Sequence, residues 1–257
     1  VIALASMLGS AGYFDPKEDS DSKIRLLNSP YEINSIFQYF NKLFLFLLPA
    51  IIGMVIYRDF RNNIHPILYT FPFKKSEYLL GKFLSGLTVV MGITFSVGAA
   101  FMLGEYILGS TNPAVGPFNF WAYANTYFLF VFPNMLSFGL MVFIAVASLR
   151  NIYAGFIAVI LLVFVQVMAD NLFAGNPVLF ALLDPFGQNA VAMETRYWTI
   201  DEQNVQQVPI LGMVLWNRIL WISFGLLSFG LFCKKFQLEQ ETFRLWPKIF
   251  KGRIPTP

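Results

Sequence analysis

Charged residues are scarce in this sequence: they make up 13% of its 257 residues, whereas a soluble domain carries about a quarter. The single cysteine, Cys233, excludes an internal disulfide and a cysteine-based metal site. The single histidine, His65, excludes any site that needs two imidazoles, including the HExxH zinc peptidase pattern. The phosphate-loop pattern GxxxxGK[ST] is missing, so the chain does not bind ATP in the usual way. The net charge of +3 is too small to indicate a nucleic-acid-binding protein.

Apolar and aromatic residues, in contrast, are abundant. Hydrophobic residues make up 56% of the chain, and its mean hydropathy is +0.59. The 29 Phe, 11 Tyr and 5 Trp exceed what one soluble core needs. The composition therefore predicts an all-α integral membrane protein, a polytopic helix bundle that forms a single transmembrane domain over residues 1–257.

Long uncharged stretches predict five complete membrane-spanning helices. They cover residues 40–57, 83–104, 123–149, 151–169 and 213–233. Each stretch is apolar around its full circumference, unlike a helix that lies at the surface of a soluble protein. Pro49 and Pro133 fall inside two of these spans and predict kinks there.

The first residues, Val1–Phe14, are apolar but too short to span a membrane. A signal peptide would need a basic region before its apolar part, and none precedes this stretch. We therefore interpret residues 1–14 as the outer end of a truncated first helix, followed by an outer loop over residues 15–39.

The distribution of basic residues predicts the orientation of the chain. Twelve of the 18 Lys and Arg fall in the segment 58–82, at Arg150 and in the tail 234–257, and six fall on the other side. Because cytoplasmic loops carry an excess of Lys and Arg, the first side is predicted to be cytoplasmic. The expected location is a multi-pass position in the cell (inner) membrane, with the C-terminal tail inside and residues 170–212 outside.

The cytoplasmic segment 58–82 is predicted to contain a short amphipathic helix. Ile64, Ile67, Leu68 and Phe71 fall at positions i, i+3, i+4 and i+7, which places them on one helical stripe. Pro72 ends this helix, because a residue that precedes proline is disfavoured in the α region. The next helix is expected to run directly into the span 83–104. The pattern alone leaves open whether the stripe only lies among lipid headgroups.

The outer segment 170–212 contains an apolar run, Pro177–Leu183, that is too short to span. The turn signal Asp184, Pro185, Phe186 and Gly187 follows it directly. Because unpaired backbone is costly in lipid, this pattern predicts a re-entrant helix that enters and leaves from the outer face.

Three ionisable residues lie close to the predicted outer ends of the spans. They are Glu105, Asp170 and Arg218. We interpret them as anchors at the membrane interface or, for the last two, as an Asp170–Arg218 pair.

The stretch Thr70–Lys82 resembles the segment that type-2 ABC exporter permeases place between their second and third helices. Their pattern is small-x-Pro-x-basic-x-polar-acidic-hydrophobic-Leu-x-Gly-Lys, and the order of the predicted elements is similar as well. A second stretch, from Leu183 to Trp221, resembles the branch in which two membrane halves are fused to a zinc aminopeptidase-like domain. Peptidase residues themselves do not occur in this sequence.

The resemblance implies the permease subunit of an ATP-binding cassette exporter, which is not itself an enzyme. In that family the coupling helix docks on a nucleotide-binding ATPase subunit, so the implied partners are such subunits, a second permease half and the lipid bilayer. The chain itself would hold no cofactor, since ATP and magnesium would bind to the partner. The residues implied in the ATPase contact are Ile64, Ile67, Leu68, Phe71, Pro72, Lys74, Lys75 and Glu77. The alternative is a non-transport membrane scaffold or assembly protein.

Overall fold

The computed structural model describes residues 25–62, 74–108, 114–172 and 175–236, but not the side chains of Leu108 and of residues 169–172. Within these ranges every regular element is helical, which confirms the all-α fold class. The α-helices are α1 (Pro30–Phe44), α2 (Met54–Arg61), α3 (Lys75–Leu108), α4 (Phe120–Thr126), α5 (Phe132–Leu149), α6 (Ile152–Leu172), α7 (Pro177–Leu183), α8 (Gln188–Glu194), α9 (Ile200–Val205) and α10 (Gly212–Lys235).

Helices α1 and α2 join through a π-helical turn, Pro49–Gly53, into one helix that runs from Pro30 to Arg61. This helix begins well before residue 40, so the last part of the predicted outer loop 15–39 is helical. Ser29 caps it, since its side chain accepts a hydrogen bond from the backbone N–H of Glu32 at 3.2 Å. Asn34 and Gln38, two polar residues in this part of the helix, are buried.

A second π-helical turn, Tyr127–Val131, joins α4 to α5 into the continuous helix Phe120–Leu149. Each π turn has near it a proline that was predicted to kink its helix: Pro49 is the first residue of the first turn, and Pro133 lies two residues after the end of the second. Proline has no N–H to donate to the preceding turn, so the local hydrogen-bond pattern must shift there.

Helix α3 is the longest described helix, with 34 residues. At 1.5 Å per residue it is about 50 Å long, which exceeds a bilayer core of about 30 Å. It contains residues 75–82 of the predicted cytoplasmic segment and the whole predicted span 83–104. The helix before the span therefore runs directly into it, as predicted.

Four of the described helices are long and apolar enough to cross a membrane: Pro30–Arg61, Lys75–Ile107, Phe120–Leu149 and Gly212–Lys235. A shorter apolar helix, Ile152–Met168, coincides with the predicted span 151–169. Five complete spans therefore stay a prediction. The helix Phe120–Leu149 lies at the centre, because 72% of its most apolar part is buried, compared with 28–44% for the other three.

Between α6 and α10 the chain forms the short helices α7, α8 and α9. Helix α7 has the bounds Pro177–Leu183 of the predicted re-entrant helix, and the predicted turn Asp184–Gly187 separates it from α8. Its entry into the membrane from one face stays a prediction.

Candidate functional site

Two groups of polar side chains lie at opposite ends of α10 and connect the elements that the sequence singled out. The first is near the beginning of α3, where residues implied in the ATPase contact are located. Of those residues Ile64, Ile67, Leu68, Phe71 and Pro72 lie outside the described part of the chain. Lys74, Lys75 and Glu77 lie inside it.

Lys74 and Glu77 lie on the surface at the beginning of α3. Their side chains are 82% and 64% exposed, and the Lys74 Nζ lies 3.6 Å from the Glu77 Oε1. An ion pair this exposed contributes little to stability, so both charges stay accessible to a partner. Lys75 differs, because its Nζ donates to the backbone carbonyl oxygen of Phe236 at 3.2 Å and so connects α3 to the end of α10.

The Asp59 cluster consists of Asp59 on α2 and of Tyr78 and Lys82 on α3. The Asp59 Oδ2 lies 2.6 Å from the Lys82 Nζ and accepts a hydrogen bond from the Tyr78 hydroxyl at 2.5 Å. Asp59 is 4% exposed, so its carboxylate is removed from water and needs both partners. The sequence analysis did not identify this cluster, although the i, i+4 spacing of Tyr78 and Lys82 places both on one face of α3.

A close approach of the two helices lies next to the Asp59 cluster. Gly86 follows Lys82 by one turn, and a Cβ atom built on it would lie 3.0 Å from the Cα of Ile52. Only glycine allows the backbones to come this close without a shift. The helices Pro30–Arg61 and α3 are thus held at two places, by backbone proximity at Ile52 and by the buried carboxylate of Asp59.

The Arg218 cluster lies at the beginning of α10 and consists of Asn134, Asp184, Asn217 and Arg218. The guanidinium of Arg218 donates to the Oδ1 of Asn134 at 2.5 Å, to the Oδ1 of Asn217 at 2.5 and 3.1 Å, and to the carbonyl oxygen of Pro185 at 3.4 Å. It also lies over the ring of Phe130, 5.3 Å from the centroid.

The interpretation of Arg218 as an interface anchor was wrong. Arg218 is only 4% exposed, because Asn134 and Asn217 supply acceptors inside the bundle and the side chain does not need to reach outward. Asn134 and Asn217 each lie within a predicted apolar span, and an amide in such a span is a sequence signal for a buried polar contact that was missed. The predicted Asp170 partner lies among the residues whose side chains are not described.

The turn Asp184–Gly187 is the part of the Arg218 cluster that the sequence predicted. The Asp184 carboxylate accepts hydrogen bonds from the backbone N–H groups of Phe186 at 2.9 Å and Asn189 at 2.8 Å, which caps α8. Burial raises the pKa of Asp184, while these N–H donors and the charge of Arg218 oppose that rise. The ring of Phe186 is fully buried and packs on Phe138, with 5.3 Å between centroids.

Gly187 is required in this turn for two reasons. Its φ of 81° lies in the left-handed region that disfavours other residues, and a Cβ atom there would collide with the guanidinium of Arg218. Asn217 completes the junction, since its Nδ2 group donates to the carbonyl oxygens of Ala181 at 2.7 Å and Asp184 at 2.8 Å. The outer turn is therefore fixed to α10 through side chain and backbone together.

Glu105 and Lys42 also take positions that the sequence analysis did not predict. Glu105, interpreted as an interface anchor, accepts hydrogen bonds from Asn28 at 2.5 Å and from the hydroxyl of Tyr123. Lys42 donates from its Nζ to the Oε1 of Gln188 at 2.7 Å and so joins α1 to α8. Both residues connect elements inside the protein.

Metal binding has no support in the described part of the chain, where no group of three or more His, Cys, Asp or Glu comes together. The two clusters instead connect helices to one another. Their chemistry is that of structural joints, with charges buried in contact with fixed donors and acceptors.

Residues 65–209, more than half of the 257-residue chain, match a family described as ABC-2 family transporter protein. The chain belongs to this family. Comparison with curated proteins and with solved structures gives no match. As an ABC-2 family member with several apolar helices, the chain is a multi-pass membrane protein and an ABC transporter permease, a transport component that pairs with ATP-binding subunits. The matched region includes most of the segment 58–82 and the whole turn Asp184–Gly187.

Proposed function

We propose that this permease is the membrane half of an exporter that is driven by ATP hydrolysis on a separate nucleotide-binding subunit. The observation that supports this most is the family match over residues 65–209, together with a sequence that has no phosphate loop. ATP would bind one arrangement of the partner subunits more tightly than the other. This difference in binding free energy would drive the change in arrangement that moves the substrate. The match to a transporter family favours transport over the scaffold alternative.

The segment 58–82 is proposed as the contact with the ATPase. The amphipathic stripe of Ile64, Ile67, Leu68 and Phe71 needs an apolar surface to cover it. The exposed charges of Lys74 and Glu77 lie directly beyond it at the beginning of α3. A groove on a nucleotide-binding subunit would cover the stripe and leave these charges at its polar rim.

The remaining parts of the proposal concern the assembly. The excess of Lys and Arg in 58–82, at Arg150 and in 234–257 supports a cytoplasmic C-terminus and insertion in the cell (inner) membrane. A second, similar permease half would complete the transporter. The likeness of the stretch Leu183–Trp221 to the peptidase-fused branch favours a pair of related halves.

The proposed contact is tested with the double substitution Leu68→Ala and Phe71→Ala. Each side chain contributes on the order of 1.5–3 kcal/mol if it is fully buried in the interface. We expect normal membrane insertion and expression, together with weaker association with the ATPase subunit and loss of coupling between ATP turnover and transport. The measurement is co-purification of the two subunits in detergent, followed by ATPase activity.

The matched control removes two apolar side chains at the far end of α3, Leu103→Ala and Tyr106→Ala, which are 62% and 80% exposed. Association should be unchanged in this control. Equal co-purification and equal ATP turnover in wild type and in the Leu68/Phe71 variant would show that the stripe lies only on the membrane.

A further inference from the structure

The Asp59 cluster is located where the chain leaves one membrane helix and enters the next. Asp59 is in the last turns of α2, and Tyr78 and Lys82 are in the first turns of α3. A single carboxylate oxygen, the Oδ2 of Asp59, contacts both the Tyr78 hydroxyl and the Lys82 ammonium group. The described residues on the two sides of the segment 63–73 therefore meet at one buried group.

The neighbours of the cluster make this connection rigid. Leu79 and Phe83, next to Tyr78 and Lys82 along α3, are 0% and 1% exposed. The Nζ of Lys82 also lies over the ring of Tyr78, 5.8 Å from its centroid, so the two partners of Asp59 support each other. The side chain of Asp59 is 5% exposed and that of Lys82 is 24% exposed, so separation of the two helices would leave the buried carboxylate without its cation.

Two separate contacts hold the helix Pro30–Arg61 and α3 in one relative orientation, whereas a single contact would let them rotate about it. The first is the backbone approach of Gly86 to Ile52, and the second is the Asp59 cluster nearer the helix ends. Lys82 and Gly86 lie one turn apart on the same face of α3. Rotation about the Gly86 contact would have to break the ion pair of Asp59.

We infer that Asp59 is a positioning residue, which binds the end of α2 to the beginning of α3 so that both helices move as one body when force reaches the segment between them. The inference rests on the proposed function of segment 58–82 as the ATPase contact. Without the Asp59 cluster, movement of that segment would be taken up by separation of the two helix ends. ATP binding on the partner would then displace α3 without α2.

The experiment measures the distance between nitroxide labels at Asn62 and at Leu80, which is 46% exposed, in the full chain with Cys233→Ser in the background. Wild type should give one narrow distance distribution, both for the permease alone and for its complex with the ATPase trapped by magnesium-ATP and vanadate. Asp59→Asn and Lys82→Gln should each broaden the distribution and make it change upon trapping. They should also lower permease-dependent ATP turnover by about fivefold with the KM for ATP unchanged. The exchange Asp59→Lys with Lys82→Asp should restore both readouts.

The matched control is Glu32→Gln, which neutralises another ion pair on the same helix: the Glu32 Oε1 lies 3.0 Å from the Arg25 Nη1 at the opposite end. This control should resemble wild type in both readouts. Narrow, unchanged distributions in Asp59→Asn and Lys82→Gln would overturn the inference, and so would a wild-type distance that shifts upon trapping. The permease-alone measurement needs no partner, so it tests the Asp59 cluster even if no ATPase binds, an outcome that would contradict only the proposed function.

Discussion

Arg218 shows how one side chain can join three elements. Its guanidinium contacts Asn134 on α5, Asn217 on α10 and the carbonyl oxygen of Pro185 in the turn after α7. Arginine suits this position because its planar fork presents several N–H donors in fixed directions and stays charged when buried. The cluster is therefore a joint between the outer segment and the centre of the bundle.

We expect the substitution Arg218→Met to destabilise the protein by about 2–4 kcal/mol, because it leaves the buried amide oxygens of Asn134 and Asn217 without donors. Methionine keeps an unbranched apolar chain of moderate length, so the main change is the loss of charge and hydrogen bonds. The measurement is the thermal unfolding midpoint of the full chain in detergent. Arg196→Met is the matched control, since the exposed Arg196 also lies 5.3 Å from an aromatic centroid, that of Tyr197. Equal midpoints for the two variants would show that the Arg218 cluster is not a stabilising joint.

At the scale of elements, the uncharged stretches predicted where helices occur better than where they begin. The predicted span 83–104 lies inside α3, and the predicted span 213–233 lies inside α10. The helix Pro30–Arg61 begins before the predicted span 40–57, and its first part contains buried polar residues such as Asn34. A search for long uncharged apolar stretches does not detect helical turns that contain such residues.

In the two clusters, too, local features were predictable from the sequence and contacts between distant residues were not. The turn Asp184–Gly187 was recognisable because proline and glycine define turns locally. The Asp59 cluster and the contacts of Arg218 join residues that are distant in sequence. Such contacts depend on how the helices pack, and the pattern of a single sequence does not show which helices are neighbours.

Gly86 supplies a prediction about helix packing. Alanine usually favours a helix over glycine by about 1 kcal/mol. We expect Gly86→Ala to destabilise the protein instead. The added Cβ would lie 3.0 Å from the Cα of Ile52, so the two helices would have to separate. Gly92→Ala on the same helix is the matched control, since nothing lies within 4 Å of a Cβ atom built there.

The measurement is the thermal unfolding midpoint of each single variant in detergent. Gly86→Ala should lower it, and Gly92→Ala should leave it unchanged or raise it. A midpoint for Gly86→Ala at or above that of Gly92→Ala would show that the approach of α3 to Ile52 is not tight.

At the scale of the whole molecule, the two polar clusters lie at opposite ends of an apolar bundle. Arg218 is near the beginning of α10, and the backbone of Phe236 at the other end accepts from Lys75. These positions are separated by about 25 Å along the helix. The helix Phe120–Leu149 fills the centre between them.

We propose that this permease works with a separate subunit that hydrolyses ATP. The experiment is to co-express the full chain with each ABC-type P-loop ATPase subunit of its source genome in turn, to purify through the permease alone and to measure ATP turnover in lipid nanodiscs. We predict that the ATPase co-purifies, that its turnover depends on the permease, and that substitution of its phosphate-loop lysine abolishes turnover. A permease that is stable in detergent but retains no ATPase, or a turnover equal to that of the isolated ATPase, would contradict the account.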